Sequence, residues 1–444
     1  MYGIDLTKSN SILVGINDSH DASACVVVDG KLVAAVSEER IQRIKSTGGF
    51  PKNAIEVCLK MAGVGKADVD YVVFGSEHVS PTNLYNYFPS LSVHDHIKIQ
   101  KEYWYPTLYE GADKKLADVL PNFERTGETY YPLGDVPFAE NRELAPEVRA
   151  SVNDMRLAYT AAWFGIDPSR IVSVDHHTAH AYYAYFCHPA RQSGRPILAL
   201  TSDAGGDGRY ESVRVFENGS VRMLHQDRTN LIASIYSYMT LMLGMRPNEH
   251  EYKVMGLAAY TPEYHKKDTR RIFLEAMTVE GLSFKRNPDV IDLYTYFCEK
   301  LEGYRFDAIA GGLQDFVEER LIEWIGNSVD AAGVGDVSFS GGLALNIKAN
   351  KRVWEMDSVS SLFVAPGSGD ESLPIGAVYA FRDQLEQIVG ANLRQCPRAD
   401  MLSVGPRADA ADLEELKNHE IILNHYDVTE DVGPESVAEI IARG

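Results

Sequence analysis

Apolar residues in this chain come in short dense blocks separated by polar, glycine-rich breaks, and two of the blocks follow one plan. ILVGINDSHDASACVVVDGKLVAAVSEER, residues 12–40, predicts a strand to Ile16, a polar loop, a strand over Ala24–Val28, a turn at Asp29-Gly30 and a strand over Leu32–Ser37. ILALTSDAGGDGRYESVRVFENGSVRMLHQD, residues 197–227, predicts a strand to Thr201, an acidic glycine-rich loop, a strand over Tyr210–Phe216, a turn at Asn218-Gly219 and a strand over Val221–His225. Asp-Gly and Asn-Gly between β-rich runs are hairpin signals, because both central residues of a type I′ turn need positive φ. One such hairpin can be chance. The same strand, loop and hairpin in two places predict an internal duplication.

Further strands are predicted over Tyr71–Phe74, Arg170–Val174, Val337–Ser340 and Ser361–Val364, each running into a loop. Helical spacing alternates with them over Pro51–Met61, His180–Phe186, Gln314–Ile325 and Pro374–Leu385. Such alternation predicts an α/β architecture with active loops at strand ends. Residues 77–150, rich in Tyr, Pro and charge, lack clean periodicity and read as an insertion, a substrate or lid region. After about residue 390 the pattern changes, and Asp412–Lys417 and Ser436–Ala442 look like short helices of a new unit. A chain of 444 residues exceeds a single core. The expected division is 1–190, 191–390 and 391–444.

Charge and cysteine content then narrow the partners. With 43 basic and 63 acidic residues the net charge is −20, which disfavours non-specific binding to nucleic acid or anionic membranes. The five cysteines are scattered without a CxxC pair, which fits a reducing cytoplasm and neither a disulfide framework nor a thiolate zinc site. The opening MYGIDLTKSNS is mixed and polar, so no signal peptide is expected, and apolar runs fall short of the roughly 20 residues of a membrane helix. The expected location is the cytoplasm.

The sharpest chemical signal is VDHHTAHA, residues 174–181. A strand ending near Val174 and a helix behind it put His176 and His180 at i and i+4 on one face, where two imidazoles can reach one ion. His177 falls on another face. Two helical histidines can also be a surface coincidence, but Asp203 in SDAGGDG and Asp370 in PGSGDES add carboxylates on loops after strands. That donor set suits iron(II), zinc or manganese, and ligand type does not separate them. The loops SDAGGDG (202–208), with Gly205 and Gly206, and SGGLALN (340–346), with Gly341, Gly342 and Asn346, follow strands and could cradle phosphate or sugar oxygens with backbone N–H groups. In GINDSHDAS, His20 lies between Asp18 and Asp21 and could be a general base or a solvated turn histidine. Arg40, Arg43 and Lys45 could meet an anion or merely solvate a helix. Glu249, Glu251 and Lys253 could reach ribose and phosphate or form an ion-paired helix end.

Taken in order, GINDSHDASACVVVDGKLVAAVSEERIQRIK, VDHHTAHA, EYKVMGLA, SGGLALN and PGSGDESLPIGA resemble the O-carbamoyltransferases of the NodU, cephalosporin and tobramycin type over roughly residues 12–390. The family is similar to the enzymes that make threonylcarbamoyladenosine in tRNA. The resemblance implies a duplicated actin/sugar-kinase-like (ribonuclease H-like) domain joined to a C-terminal YrdC-like domain. It also implies ATP and carbamoyl phosphate as substrates, carbamoyl adenylate as intermediate, and transfer to a hydroxyl of a small molecule or sugar. His176, His180 and Asp370 would be metal ligands with Asp203 a fourth. Gly341, Gly342 and Asn346 would hold the adenosine with Glu251 and Lys253 nearby, and His20 would deprotonate the acceptor. A homodimer is a further expectation.

One departure stands out. The family's arginine-rich FQGRMEFGPRALG-like segment, part of the adenylate-forming domain, does not occur in this sequence. The expectation is therefore a transfer half whose adenylate-forming half lies in a longer protein or a separate polypeptide. Two other readings stay open: a sugar kinase of the same fold, which gives the histidine pair no reason, and a nucleotide-binding module whose partner supplies catalysis. Residues 77–150 would shape the acceptor pocket, where Tyr85, Tyr87, Tyr103 and Tyr105 could stack on sugars or simply pack.

Overall fold

The run ILVGIN is buried along its whole length, which marks β1 (Ile12–Asn17) as a central strand with both faces covered. β2 (Ser23–Val28) pairs antiparallel with it, and β3 (Lys31–Ser37) alternates buried and more exposed positions as a one-faced edge strand does. β4 (Tyr71–Phe74) and β5 (Ile171–Ser173) add parallel on the other side of β1, giving the order β3-β2-β1-β4-β5. The computed structural model describes residues 11–134, 136, 138, 146–228, 231–389, 405, 410–426, 428–429 and 432–443.

The second sheet repeats this plan strand for strand. β6 (Ile197–Gly206), β7 (Arg209–Glu217) and β8 (Ser220–Asp227) form an antiparallel meander, and β11 (Asp336–Ser340) and β12 (Ser361–Val364) add parallel to β6, in the order β12-β11-β6-β7-β8. A separate ribbon, β9 (Met277–Glu280) and β10 (Ser283–Arg286), stands beside β8. This is the duplicated α/β fold of the actin/sugar-kinase type, carried here by the repeated sheet order. Asp29-Gly30 and Asn218-Gly219 both take positive φ, as the type I′ hairpin signals require. One expectation needs correcting: SDAGGDG is not a loop. β6 continues past Thr201 to Gly206 through a register shift, and Asp207-Gly208, both at positive φ, is itself the two-residue turn into β7.

The predicted helices form, the first shifted by one residue and the others extended at their ends: Lys52–Ala62, His176–Cys187, Phe306–Ala332 and Leu373–Val389. The last helix of each repeat crosses to the other repeat's sheet. Leu373–Val389 lies on β1, β2 and β4, and His176–Cys187 lies on β6, β7 and β11. The two helices also pack on each other with almost no gap, since a Cβ on Gly376 would stand 1.8 Å from the Ala179 carbonyl oxygen. A shared core results, in which Leu13, Val27 and Val73 of the first sheet meet Tyr183, Phe186, Tyr379 and Phe381, with Ala199 and Phe216 of the second. Separate outer cores back each sheet, one around Phe50, Ile55 and Phe74, the other around Phe284, Phe316 and Trp324.

Behind β4 the insertion folds into short helical turns around Tyr87, Leu91, Ile99, Tyr103 and Leu116. Tyr87 and Tyr103 are therefore packing residues, Tyr85 donates to the Val136 carbonyl, and Tyr105 is exposed, stacked on Tyr109. A second unit begins at Gly405 and holds the helices Ala410–Asn418, Glu420–His425 and Pro434–Arg443, which contain both predicted segments. Residues 391–404 lie outside the described residues, as does Cys396. Cys25, Cys58, Cys187 and Cys298 form no disulfide among the described residues. No helix among the described residues is long and apolar enough to cross a membrane.

Candidate metal centre

The site forms where the crossed helices begin. Asp175 caps the helix His176–Cys187 by accepting from the Thr178 N–H, so the helix starts at His176 and both His176 and His180 face the ends of β6 and β11. Asp175 is itself tied to Arg209 and Arg214, and the His176 N–H is held by Asp207. Gly206 explains the glycine at the end of β6: a Cβ there would lie 2.1 Å from Cγ of the His176 ring. Asp203 follows the last regular pair of β6 and accepts from the Gly342 N–H at 2.6 Å. Asp370 opens the turn into the other crossed helix, which β1 and β4 receive closely because Gly15 and Gly75 face Pro374 and Leu373.

Four expected ligands thus converge, with donor atoms all within 4.8 Å of one another. His176 Nε2 and His180 Nε2 stand 3.5 and 3.4 Å from Asp370 Oδ1, and His180 Nε2 is 3.6 Å from Asp203 Oδ2. All four side chains are buried, yet His176 Nε2 and both ring nitrogens of His180 have no hydrogen-bond partner among the described residues. Orphaned buried nitrogens each cost about 1–3 kcal/mol, so their convergence on two carboxylates fits a bound cation. Bonds of about 2.1 Å would give tetrahedral edges near 3.4 Å, which matches this spacing.

Asp370 also links the cluster to His20. Its Oδ2 stands 3.3 Å from His20 Nε2, while His20 Nδ1 meets Asp21 Oδ2 at 2.9 Å and the ring packs edge-on against Phe88. Burial works against charge on His20, but Asp370 and Asp21 outweigh it and raise the imidazole to about 10. A cation among the four donors would draw off the Asp370 charge behind that rise. Asp370 is buried, which would raise its pKa, but His176, His20 and His180 hold it well below the ordinary range.

The remaining expected residues fall into two groups, the glycines beside this centre and a second set around Tyr236. Gly205 and Gly206 end β6 beside the centre, and Gly341 and Gly342 cross over Ser202 and Asp203, where a Cβ on Gly341 would meet the Ser202 carbonyl at 2.3 Å. Asn346 caps the helix Ile347–Trp354 and exchanges hydrogen bonds with Gln314, which accepts from the buried Tyr236 hydroxyl. Glu251, raised by burial, acts on the same phenol and accepts from the Asn248 N–H. Lys253 is exposed, and no contact joins Glu251 or Lys253 to the histidine cluster among the described residues. Arg40 and Lys45 are solvated beside Glu39.

Sequence reading missed the supports. Asn17 ties three carbonyls together, those of His20, Asp21 and Asp370. Asp18 does not face His20; it takes a two-point contact from the buried Arg156 at 2.7 and 2.9 Å and a bond from Tyr131. The one available signal was a polar Asn-Asp pair closing an apolar strand. Its partner, 138 residues away, carries no local mark.

The chain belongs to the carbamoyltransferase family: the family model described as carbamoyltransferase N-terminus matches residues 12–379. Nodulation protein NolNO of Sinorhizobium fredii is 26% identical over 391 residues, covering 87% of this chain and 49% of its own length. An uncharacterised Synechocystis protein is 25% identical over 96% of this chain and 65% of its own length. The chain thus spans about half of the first relative and two thirds of the second. Among solved structures, a HypF from T. kodakarensis aligns over 86% of this chain and 48% of its own, at 13% identity and a TM-score of 0.41. A likeness that loose adds no weight.

Proposed function

We propose that this chain is the transfer part of an ATP-dependent O-carbamoyltransferase, which moves a carbamoyl group from carbamoyl adenylate to a hydroxyl of a small molecule or sugar. The observation that carries this reading is the buried His176–His180–Asp203–Asp370 cluster, joined through Asp370 to His20. These four residues would hold a divalent metal, iron(II), zinc or manganese, which when bound supplies positive charge for nucleotide phosphates. Gly341, Gly342 and Asn346 would face the adenosine, with Gly205, Gly206, Glu251 and Lys253 at its edges. His20 would take the proton from the acceptor hydroxyl at Nε2, with Asp21 holding the ring through Nδ1. An alcohol is a weak nucleophile near neutral pH, so a positioned base contributes about 10²–10⁴-fold.

In this reading residues 77–134 shape the acceptor pocket, since Phe88 touches His20 and Asn83 bonds Ser19. Residues 391–444 would begin a YrdC-like domain that makes the adenylate from ATP and carbamoyl phosphate. The test is transfer of label from carbamoyl phosphate to a panel of hydroxylated acceptors, with ATP, divalent metal and a YrdC-like protein added. Labelled carbamate esters support the proposal. Phosphorylation of the acceptor by ATP instead would make the chain a kinase of the same fold.

A further inference from the structure

Beyond the histidine cluster, β7, β8 and β10 meet around a second group of donors. Glu211 and Asp227 are directly opposite partners across the β7–β8 ladder, and His225 lies two residues before Asp227, on the same face. Donor atoms of the three lie within 4.8 Å of one another, with His225 Nε2 3.9 Å from Glu211 Oε1. Two carboxylates at facing ladder positions repel, and both of these are buried. Glu211 precedes Val213 and Val215 along the core-facing side of β7, and its side chain is 0% exposed.

The hydrogen bonds do not account for this group. Glu211 Oε1 accepts from the Phe284 N–H at 3.2 Å and lies 3.4 Å from the Ser283 hydroxyl, which donates to Asp227 Oδ2 at 2.8 Å. Glu211 Oε2 and His225 Nε2 are buried with no hydrogen-bond partner among the described residues. Lys285 acts on Glu211 and His225 only through space. An orphaned carboxylate oxygen on a fully buried side chain calls for a cation or a proton.

We infer that Glu211, His225 and Asp227 form a second divalent-cation site, a structural one that ties the β7–β8 hairpin to β10. One imidazole and two carboxylates select a borderline transition ion of the zinc or manganese class rather than calcium or magnesium, which take oxygen-only shells. The cation would neutralise the facing carboxylates and give the orphaned His225 Nε2 a partner. A shared proton could do only the first.

The experiment is a zinc titration of the full chain after stripping with a chelator, on the wild type, His176→Ala/His180→Ala, and that double variant carrying Glu211→Gln or His225→Ala. Glu211→Gln keeps shape and hydrogen-bond capacity, and His225 is partly exposed, so each leaves the fold intact. His176→Ala/His180→Ala is expected to keep one tight zinc equivalent and a zinc-dependent rise in melting temperature. Either added substitution should weaken that equivalent by about 100-fold and abolish the rise. If the double variant binds no zinc, or binds it unchanged with Glu211→Gln and with His225→Ala, the site does not exist and a proton between Glu211 and Asp227 is its occupant. Neither result depends on whether the His176/His180 cluster binds metal.

Discussion

Replacing Gly206 by alanine tests the candidate metal centre without touching a ligand. The backbone at Gly206 is outside the left-handed region, so alanine meets no conformational penalty there. Its Cβ would instead stand 2.1 Å from Cγ, 2.3 Å from Nδ1 and 2.4 Å from Cδ2 of His176. Ordinary contact needs about 3.4 Å, so the ring must retreat by more than about 1 Å, whereas metal sites tolerate about 0.2 Å in a ligand distance. Overpacking of this kind costs about 1–3 kcal/mol of stability, and His176 drops out of the donor set. The expected result is a folded protein with a modestly lowered melting temperature and metal affinity at the centre reduced by 100-fold or more. Titration with zinc or manganese, followed by circular dichroism melts, reads both. Gly256→Ala is the control, since a Cβ there meets nothing within 4 Å; on a helix it should be neutral or stabilising by up to ~1 kcal/mol. Wild-type metal affinity in Gly206→Ala would show that His176 is not a ligand.

Other expectations follow from the same geometry. His20→Asn should leave nucleotide binding intact and lower carbamoyl transfer by about 10²–10⁴-fold; transfer at the wild-type rate would remove His20 from the mechanism. Arg156→Met strands a buried Asp18 carboxylate and should cost about 3–5 kcal/mol in a denaturant melt, while Arg156→Met with Asp18→Leu should recover part of that loss. Burial, with Asp227 adding to it, pushes the Glu211 carboxyl to about 8, so the folded metal-free protein keeps a proton that the unfolded chain releases near pH 4.5. That contribution is complete below pH 4.5 and is lost as pH rises through about 8, on the order of a few kcal/mol, with the loss absent in Glu211→Gln. Equal pH slopes for wild type and variant in chelator would contradict the shift.

Local chemistry wrote most of the scaffold into the sequence. Asp29-Gly30 and Asn218-Gly219 announce their hairpins because few dipeptides accept two positive φ values, and the sheets confirm both turns. The i, i+4 spacing places His176 and His180 on one face wherever the helix lies, whereas Asp203 and Asp370 reach that face from other segments. SDAGGDG was misread because glycine suggests a loop, while here Gly206 is a strand residue that clears space for a ring 30 positions earlier. The Asp18–Arg156 pair depends on a contact across 138 residues, and the Glu211–His225–Asp227 group on a register shift within the β7–β8 ladder and on the approach of β10. No periodicity encodes those, and their residues look like ordinary surface polarity until the chain is folded.

The crossing of the last helices makes each repeat depend on the other. Each repeat leaves its own sheet bare on one side and covers the other's, so one repeat alone would expose Leu13, Val27 and Val73 or their counterparts. A single repeat with this helix placement would bury that surface only by pairing two-fold with an identical chain, and the duplicated chain supplies the same pairing within one molecule. Matching β1–β4 with β6–β11 sets Ile16 against Thr201, and hence Asp18 against Asp203. The two carboxylates thus occupy the same position in the two repeats. Asp18 is held by Arg156 while Asp203 joins His176, His180 and Asp370, so equivalent strand ends in the two repeats do different work.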